Sequence, residues 1–525
     1  MESLAFTTPG DWRRALQGAR AAGREREFDA LADSLTERWP GLALSWWLPE
    51  LSAAERETVW RREPGLRLRP TTCEGLRVQL ADRSGVEHFL KLPSSVRQRV
   101  RRLAVGAGLG RAWVIEALLA GDLLALDTLR VEGNNLRRRE AVTWRGDDNV
   151  VHMRVEGDER LFSALGQLPA LRRLALPGNR LDDVALRSFS GLPLEELDLR
   201  GNRVGDAGAE LLAALPLRAL RLGSNQVGPE GAEALASCRT LELLDLSHNP
   251  LGDDGARALG RTESLVHLAL RQCDVGTVGA KGLARANTLE VLELPQNPLE
   301  DAGLRYLSAL PLAALAVERC ELTDLRPLWR LPLRSLDVSG NAVGHARVPG
   351  SMRRLQVLRM DRCGVADVTP LEGLSELHEL RIEGSQLGEV GALRALPLRV
   401  LSLSGQPIGD AGAEVLAEVE SLERLYLDDA SVGCAGARAL AGLPWLQVLH
   451  LAGNAVDDRG IEALAGAPRL ERLVLDRNPL SDDAAAVLAG AGGLKRLHLR
   501  QTGLEELVLD ALREALPSCE VLPRG

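Results

Sequence analysis

Lysine is almost missing from this 525-residue chain: Lys91, Lys281 and Lys495 are the only three among 64 basic residues. None of them sits in a G-K-[ST] phosphate loop, which removes the usual nucleotide-hydrolysing motif. The seven cysteines show no C-x-x-C spacing, so neither a zinc-type site nor a disulfide framework is indicated. No H-E-x-x-H and no G-x-S-x-G occurs, and without a metal pair or a nucleophile elbow no catalytic chemistry is indicated. The expectation is a non-enzyme with no cofactor and no metal. Long apolar runs are also missing, since Val114 to Leu126 contains Glu116 and Asp122 and is too short to span a bilayer. The start, MESLAFTTPGDWRRAL, lacks a basic stretch followed by an apolar one, so no secretory leader is expected. The cytoplasm is the expected compartment, with no membrane partner.

Charge is unevenly placed. The formal net charge is −9, with 19 Lys+Arg against 16 Asp+Glu in residues 1–125 and 45 against 57 in the rest. A nucleic-acid surface along the whole molecule would be strongly basic, so nucleic acid is not expected as a partner. One segment, Leu103 to Leu119, resembles a dinucleotide loop through Gly106 and Gly108, but Arg111 stands where the third glycine should be.

What the chain has instead is repetition. The phrase L-x-x-L-x-L-x-x-N-x-L starts at Leu126, Leu171 and Leu194 and continues to Leu494 with a period of 21 to 24 residues. A period of that length means a solenoid, with each unit burying its apolar face against its neighbours. Within the phrase, apolar residues alternate with variable ones, which gives a short strand with leucine inward and variable side chains outward. The Asn that follows (Asn202, Asn225, Asn249, Asn297, Asn341 and others) can satisfy backbone groups in the tight turn, and Cys273, Cys320 and Cys363 occupy the same position. A column of acids comes next, including Asp183, Asp206, Asp253, Asp301, Asp324, Asp367, Asp410, Asp458 and Asp482, with Thr277 in line. These are favoured N-caps where an outer helix should begin. The phrase G-A-x-x-L-A then supplies small residues for packing and a leucine for the core.

The period falls to 21 or 22 residues between Leu312 and Leu398, where LTDLRPLWRL (Leu322 to Leu331) and VADVTPLEGL (Val365 to Leu374) replace the helical phrase. Pro327 and Pro370 limit helix there, which predicts short 3₁₀ or extended segments over 312–397. Residues 1–99 differ again, holding Trp12, Trp39, Trp46, Trp47 and Trp60. Apolar spacing there predicts two helices between Trp12 and Leu35 and another start at Ser52, so a mainly helical capping region is expected over 1–99. Val100 to Val105 reads as a degenerate first repeat and Val150 to Val155 as another. The solenoid then occupies 100–510, about 17 repeats, with a C-terminal cap over 511–525.

Alternation of L-x-x-L-x-L-x-x-N with G-A-x-x-L-A resembles the ribonuclease-inhibitor-like class of leucine-rich repeats, and the 24-residue form resembles the GALA-type repeats of bacterial effectors. The shorter middle block is similar to the internalin pattern. The resemblance implies a right-handed α/β solenoid of horseshoe type, with a parallel concave sheet, convex helices and a small helical N-terminal region. It also implies a protein-protein interaction scaffold. The alternative is a regulator of an enzyme partner, of GTPase-activating or ubiquitin-ligase-adaptor type, since GALA effectors also carry an F-box. Residues 1–60 contain Leu48-Pro49 and Trp60 but no F-box match.

The outward strand positions are the candidate partner-binding residues. The third position reads Ala219, Leu243, His267, Val291 and Ala314, with Ala269 and Ala316 beside it, which suggests an apolar patch. Further on, Tyr426, His450 and His498 share the fifth-position column, flanked by Arg472, Arg496 and Arg500. Tyrosine and arginine are enriched where binding energy concentrates. The two histidines lie two strands apart, about 10 Å, too far for one metal ion.

Overall fold

The computed structural model describes residues 66–70, 76–80, 83–92, 94–105, 123, 125–126, 128–131, 142–145, 151–154, 170–344 and 352–522. The chain forms two compact units, Met1–Leu251 and Gly252–Gly525. The Trp-rich helices expected before residue 66 and the Gly106–Gly108 loop lie outside the described residues.

In the first unit a sheet opens with Leu66–Pro70 antiparallel to Leu76–Leu80. From there it is parallel, through Val100–Val105, Thr128–Val131, Arg173–Ala175, Glu196–Asp198, Ala219–Arg221 and Leu243–Asp245. Val100–Val105 is thus a repeat strand, as expected. Val151–Arg154 is not: it pairs antiparallel with Val142–Arg145 in a separate hairpin, so this stretch interrupts the repeats rather than adding one. Helices Asp206–Ala213 and Pro229–Ala236 alternate with the last strands.

The second unit carries parallel strands from His267–Ala269 to Glu520–Leu522, in continuous register. Helices lie between them, from Gly252–Leu259 to Glu506–Ala515. Where the period shortens, the helices give way to 3₁₀ turns at Arg326–Arg330, Thr369–Leu371 and Gly391–Ala395. Pro327 and Pro370 sit inside the first two, where their fixed φ suits a turn start and their missing N–H costs nothing.

The repeat leucines make the core. Leu220, Leu244, Leu268 and Leu292 at strand centres are fully buried, and the residues on either side of them are mostly half-buried. Each turn after a strand is closed by the Asn ladder. Asn249 Oδ1 accepts the Val227 N–H at 2.9 Å while its Nδ2 donates to the Leu222 and Leu246 carbonyls at 2.9 and 2.8 Å. One side chain therefore satisfies backbone groups of two neighbouring repeats. Cys320 and Cys363 act in the same column, their thiols donating to the Leu294 and Val338 carbonyls at 3.1 and 3.2 Å. Burial pushes both thiols up to about 11. The residue just before the ladder position takes a left-handed backbone, with φ of 68° at Gly201 and 58° at His248.

The acid column works differently from expectation. Asp206 is the first residue of its helix, not the cap, and Gly205 before it makes no side-chain cap bond. Its carboxylate instead accepts the N–H groups of Gly228 and Gly231 at 2.6 and 2.9 Å, at the start of the following helix. Asp253 does the same for Gly276 and Gly279, and Asp410 for Gly433 and Gly436. Thr277 departs from the capping expectation too, donating to the Leu299 carbonyl. Each such aspartate caps its neighbour because stacked helices bring the next set of unpaired N–H groups closer than its own. Only in the 3₁₀ block do Asp324 and Asp367 cap locally, at Arg326 and Thr369. Glycine at the capped position is required by this approach, since a Cβ on Gly231 would stand 2.6 Å from Asp206 Oδ1 and 2.8 Å from Val227 Cγ1.

Asn249→Leu strands three buried backbone partners and is expected to lower the unfolding free energy by about 2 kcal/mol in a urea titration. Asp206→Ala is expected to cost about 1 kcal/mol, and hydrogen exchange should speed up at Gly228 and Gly231 before it does within Asp206–Ala213. Gly231→Ala should destabilise despite alanine's better helix propensity; a gain would show that the carboxylate does not need that space.

Candidate binding face of the sheet

Alternation along each strand sends one residue of every three into the core and its two flanking residues to the open face. In the first unit Leu243 stands on that face in register with Ala219. Asp198 lies in the same sheet, bound to Arg200 at 2.7 Å. Burial would raise the Asp198 carboxyl, but the Arg200 guanidinium and N–H hold it below its usual range.

In the second unit His267 is registered with Val291, and Val291 with Ala314. His267 is not a free contact residue, because its Nε2 meets Glu293 Oε1 at 2.9 Å. That hydrogen bond holds the Glu293 carboxyl low against its partial burial. A polar pair therefore borders Val291, and Ala269 is buried rather than displayed.

The middle of the same face carries a charged network that the column reading passed over. Arg271 reaches Glu318 at 3.2 Å, and Arg359 binds Glu379 at 2.6 Å. Arg381 touches both Glu383 and Asp361, at 2.9 and 3.4 Å, and the Ser402 hydroxyl donates to Glu383 at 2.6 Å. Burial first, and then the Asp337 carboxylate beside it, raise the Glu318 carboxyl; burial also raises Asp361. All of these residues sit at outward strand positions or just beyond, where the repeat alignment places them but gives no sign that they pair.

Towards the C-terminus the structure brings Tyr426 and His450 together as in-register neighbours, ring centroids 4.6 Å apart in an edge-on arrangement. His450 Nδ1 lies 3.6 Å from Asp428, while its Nε2 is buried without a hydrogen-bond partner. Val474 separates His450 from His498 in the column. Burial lowers His498 first, opposed by Asp476, with Arg500, His450 and Arg472 adding to the lowering. Arg472 and Arg496 are in register on adjacent strands. No group of His, Cys, Asp and Glu among the described residues could hold a metal ion. No described helix is long and apolar enough to cross a membrane.

Five stretches match the leucine-rich-repeat family: 193–213, 215–236, 237–260, 263–284 and 442–465. With the parallel sheet and alternating helices, these make the fold a leucine-rich-repeat solenoid. No curated protein matches the chain. Among solved structures it is similar to an internalin of Listeria monocytogenes, at 21% identity over 63% of this chain and 91% of that one, with a TM-score of 0.43. A leucine-rich-repeat protein of Leptospira interrogans gives 20% identity over 82% and 97%, with a TM-score of 0.43. The TLR13–ssRNA13 complex gives 19% over 83% and 63%, with a TM-score of 0.42.

The raised Glu318 carboxyl sets the sign of a pH effect. Its folded-state pKa lies above the unfolded one, so folding takes up a proton between the two values and this group destabilises the native state once ionised. Glu318→Gln should therefore raise the urea midpoint near neutral pH. The gain should close as pH falls through the folded-state pKa of Glu318; a gain that persists at low pH would show that packing, not charge, is responsible.

Proposed function

We propose that the chain is a protein-binding scaffold that works through the open face of its sheet, and is not itself an enzyme. Leucine-rich repeats generally serve as interaction scaffolds. The supporting observation here is the second unit's face, where half-buried side chains of strand after strand stand in register and interlock, from the Arg359–Glu379 pair to the Tyr426–His450 contact. Such a surface offers aromatic and arginine anchors of the kind that dominate protein interfaces. We assign the repeats to the ribonuclease-inhibitor-like, GALA-type class of bacterial proteins on the strength of the G-A-x-x-L-A helices, with the shorter middle block as a departure. The bordered position of Val291, the display of Leu243, and Arg472 and His498 make these the residues to test, with a protein rather than nucleic acid or a membrane as partner. We also propose that residues 1–99 cap the solenoid and that 511–525 close it.

Among the described residues Cys320, Cys363, Cys434 and Cys519 form no disulfide. Free buried thiols favour a reducing compartment, the cytoplasm. Adding a thiol reductant should leave the melting temperature unchanged; a clear drop would reveal disulfides.

For the binding face, affinity capture followed by mass spectrometry identifies the partner. Val291→Asp and Leu243→Asp, made separately, should each weaken its binding at least about tenfold by burying an unpaired charge. Circular dichroism should stay unchanged in both. Val278→Asp, on an outer helix, is the matched control. If the sheet variants bind normally and deletion of 1–65, which leaves the strands Leu66–Pro70 and Leu76–Leu80 in place, abolishes capture, the N-terminal region is the working module.

A further inference from the structure

The open face of the second unit is electrically divided. Among its outward positions from Ala314 to Ser404 stand Glu318, Asp337, Asp361, Glu379 and Glu383 against only Arg359 and Arg381. From Arg424 to Arg500 the balance reverses, with Arg424, Arg472, Arg496 and Arg500 against Asp428 and Asp476. The arginines of the first stretch are engaged by carboxylates. In the second, Arg496 is bound to Glu520 at 2.7 Å, but Arg424, Arg472 and Arg500 form no ion pair among the described residues.

Neither aspartate forms an ion pair with these arginines among the described residues; each turns one oxygen to a backbone N–H. Asp428 accepts the Ala452 N–H and Asp476 accepts the Arg500 N–H, both at 2.7 Å. Arg472 stands in register with Arg496, whose guanidinium is already held by Glu520, so Arg472 is the cation left over between them. Two buried nitrogens of this stretch, Arg500 Nε and His450 Nε2, have no hydrogen-bond partner among the described residues. A cavity of about 570 Å³ opens beside Arg500, lined by Arg477, Gln501 and Thr502 and by the carboxylates of Asp476 and Glu506.

The geometry points to a binding site for an extended acidic segment of a partner protein, laid across the strands from Arg424 to Arg500 with Tyr426 and His450 as its aromatic border. This rests on the reading of the sheet face as a protein-binding surface. Strands about 4.8 Å apart place Arg424 about 14 Å from Arg496, the reach of about four extended residues. Carboxylate side chains of such a segment would come within reach of Arg424, Arg472 and Arg500. A nucleic acid is the less favoured occupant, because these arginines cover only a short stretch and are bordered by the carboxylates from Glu318 to Glu383, whereas a nucleic-acid surface is an extended basic one.

The test uses the full chain and a dye-labelled oligo-glutamate of about six residues, long enough to cover that span, read by fluorescence anisotropy. The peptide should bind, and binding should weaken as salt rises. Arg472→Glu and Arg500→Glu should each weaken it at least about tenfold, Arg472→Gln by less, and Arg305→Glu on an outer helix should change nothing. Absence of binding, or binding indifferent to Arg472 and Arg500, overturns the site. So does a single-stranded oligonucleotide of equal charge that binds more tightly and is lost in the same variants. If the site fails while Val291→Asp still weakens capture of the natural partner, only the acidic specificity falls. If capture ignores every sheet variant, the scaffold reading falls with it.

Discussion

Everything in this molecule depends on how a chain that turns sharply once per repeat satisfies the peptide groups it buries there. A buried N–H or carbonyl without a partner costs more than a typical hydrogen bond returns, and each repeat has several. The carboxamide of the ladder Asn meets this need with one acceptor and two donors. Asn297 takes the N–H groups of Cys273 and Val275 and donates to the Leu270 and Leu294 carbonyls. Where cysteine replaces it, as at Cys320, a thiol keeps the donor function. A leucine core alone would collapse the chain; the ladder fixes the spacing at which the strands can pair.

That spacing in turn brings helix to helix, and the aspartate that caps the next helix follows from it. Asp253 reaches Gly276 and Gly279 because small residues keep the stacked segments close. The same stacking puts outward strand residues side by side, so that Tyr426 meets His450 and Arg359 meets Glu379. The binding face is in this sense a by-product of the core: register imposed by buried leucines decides which exposed side chains become neighbours.

The parts legible in the sequence were those governed by local rules. The leucine alternation, the ladder asparagines and the 3₁₀ turns at Pro327 and Pro370 each follow from a residue type and its immediate neighbours. The shortened period also marked Gly391–Ala395, which contains no proline. The hairpin of Val142–Arg145 with Val151–Arg154 was missed because an apolar alternation does not say whether its partner strand runs parallel or antiparallel. Propensity rules point Asp206 at its own helix, since they consider only the next few residues, whereas its partners lie 22 and 25 residues on. On the face, the search for apolar and aromatic outward residues found Val291 and Tyr426. It passed over Glu318, Arg359 and Arg381, whose meaning appears only when charges are matched across strands.

Capping between neighbours gives the solenoid a direction. Asp183 holds the residue that opens the second helix of its set, Asp206 the third, and in the second unit Asp253 and Asp301 pass the same bond onward. The sequence of bonds stops at Asp324 and Asp367, which serve their own turns, and resumes at Asp410. Where the bond is made it runs from one helix to its C-terminal neighbour and is not returned; at Thr277, and at the turns of Asp324 and Asp367, it is replaced by other contacts. Duplication of an aspartate-bearing repeat would extend such a run without a new invention, because that copy arrives carrying the bond its successor needs.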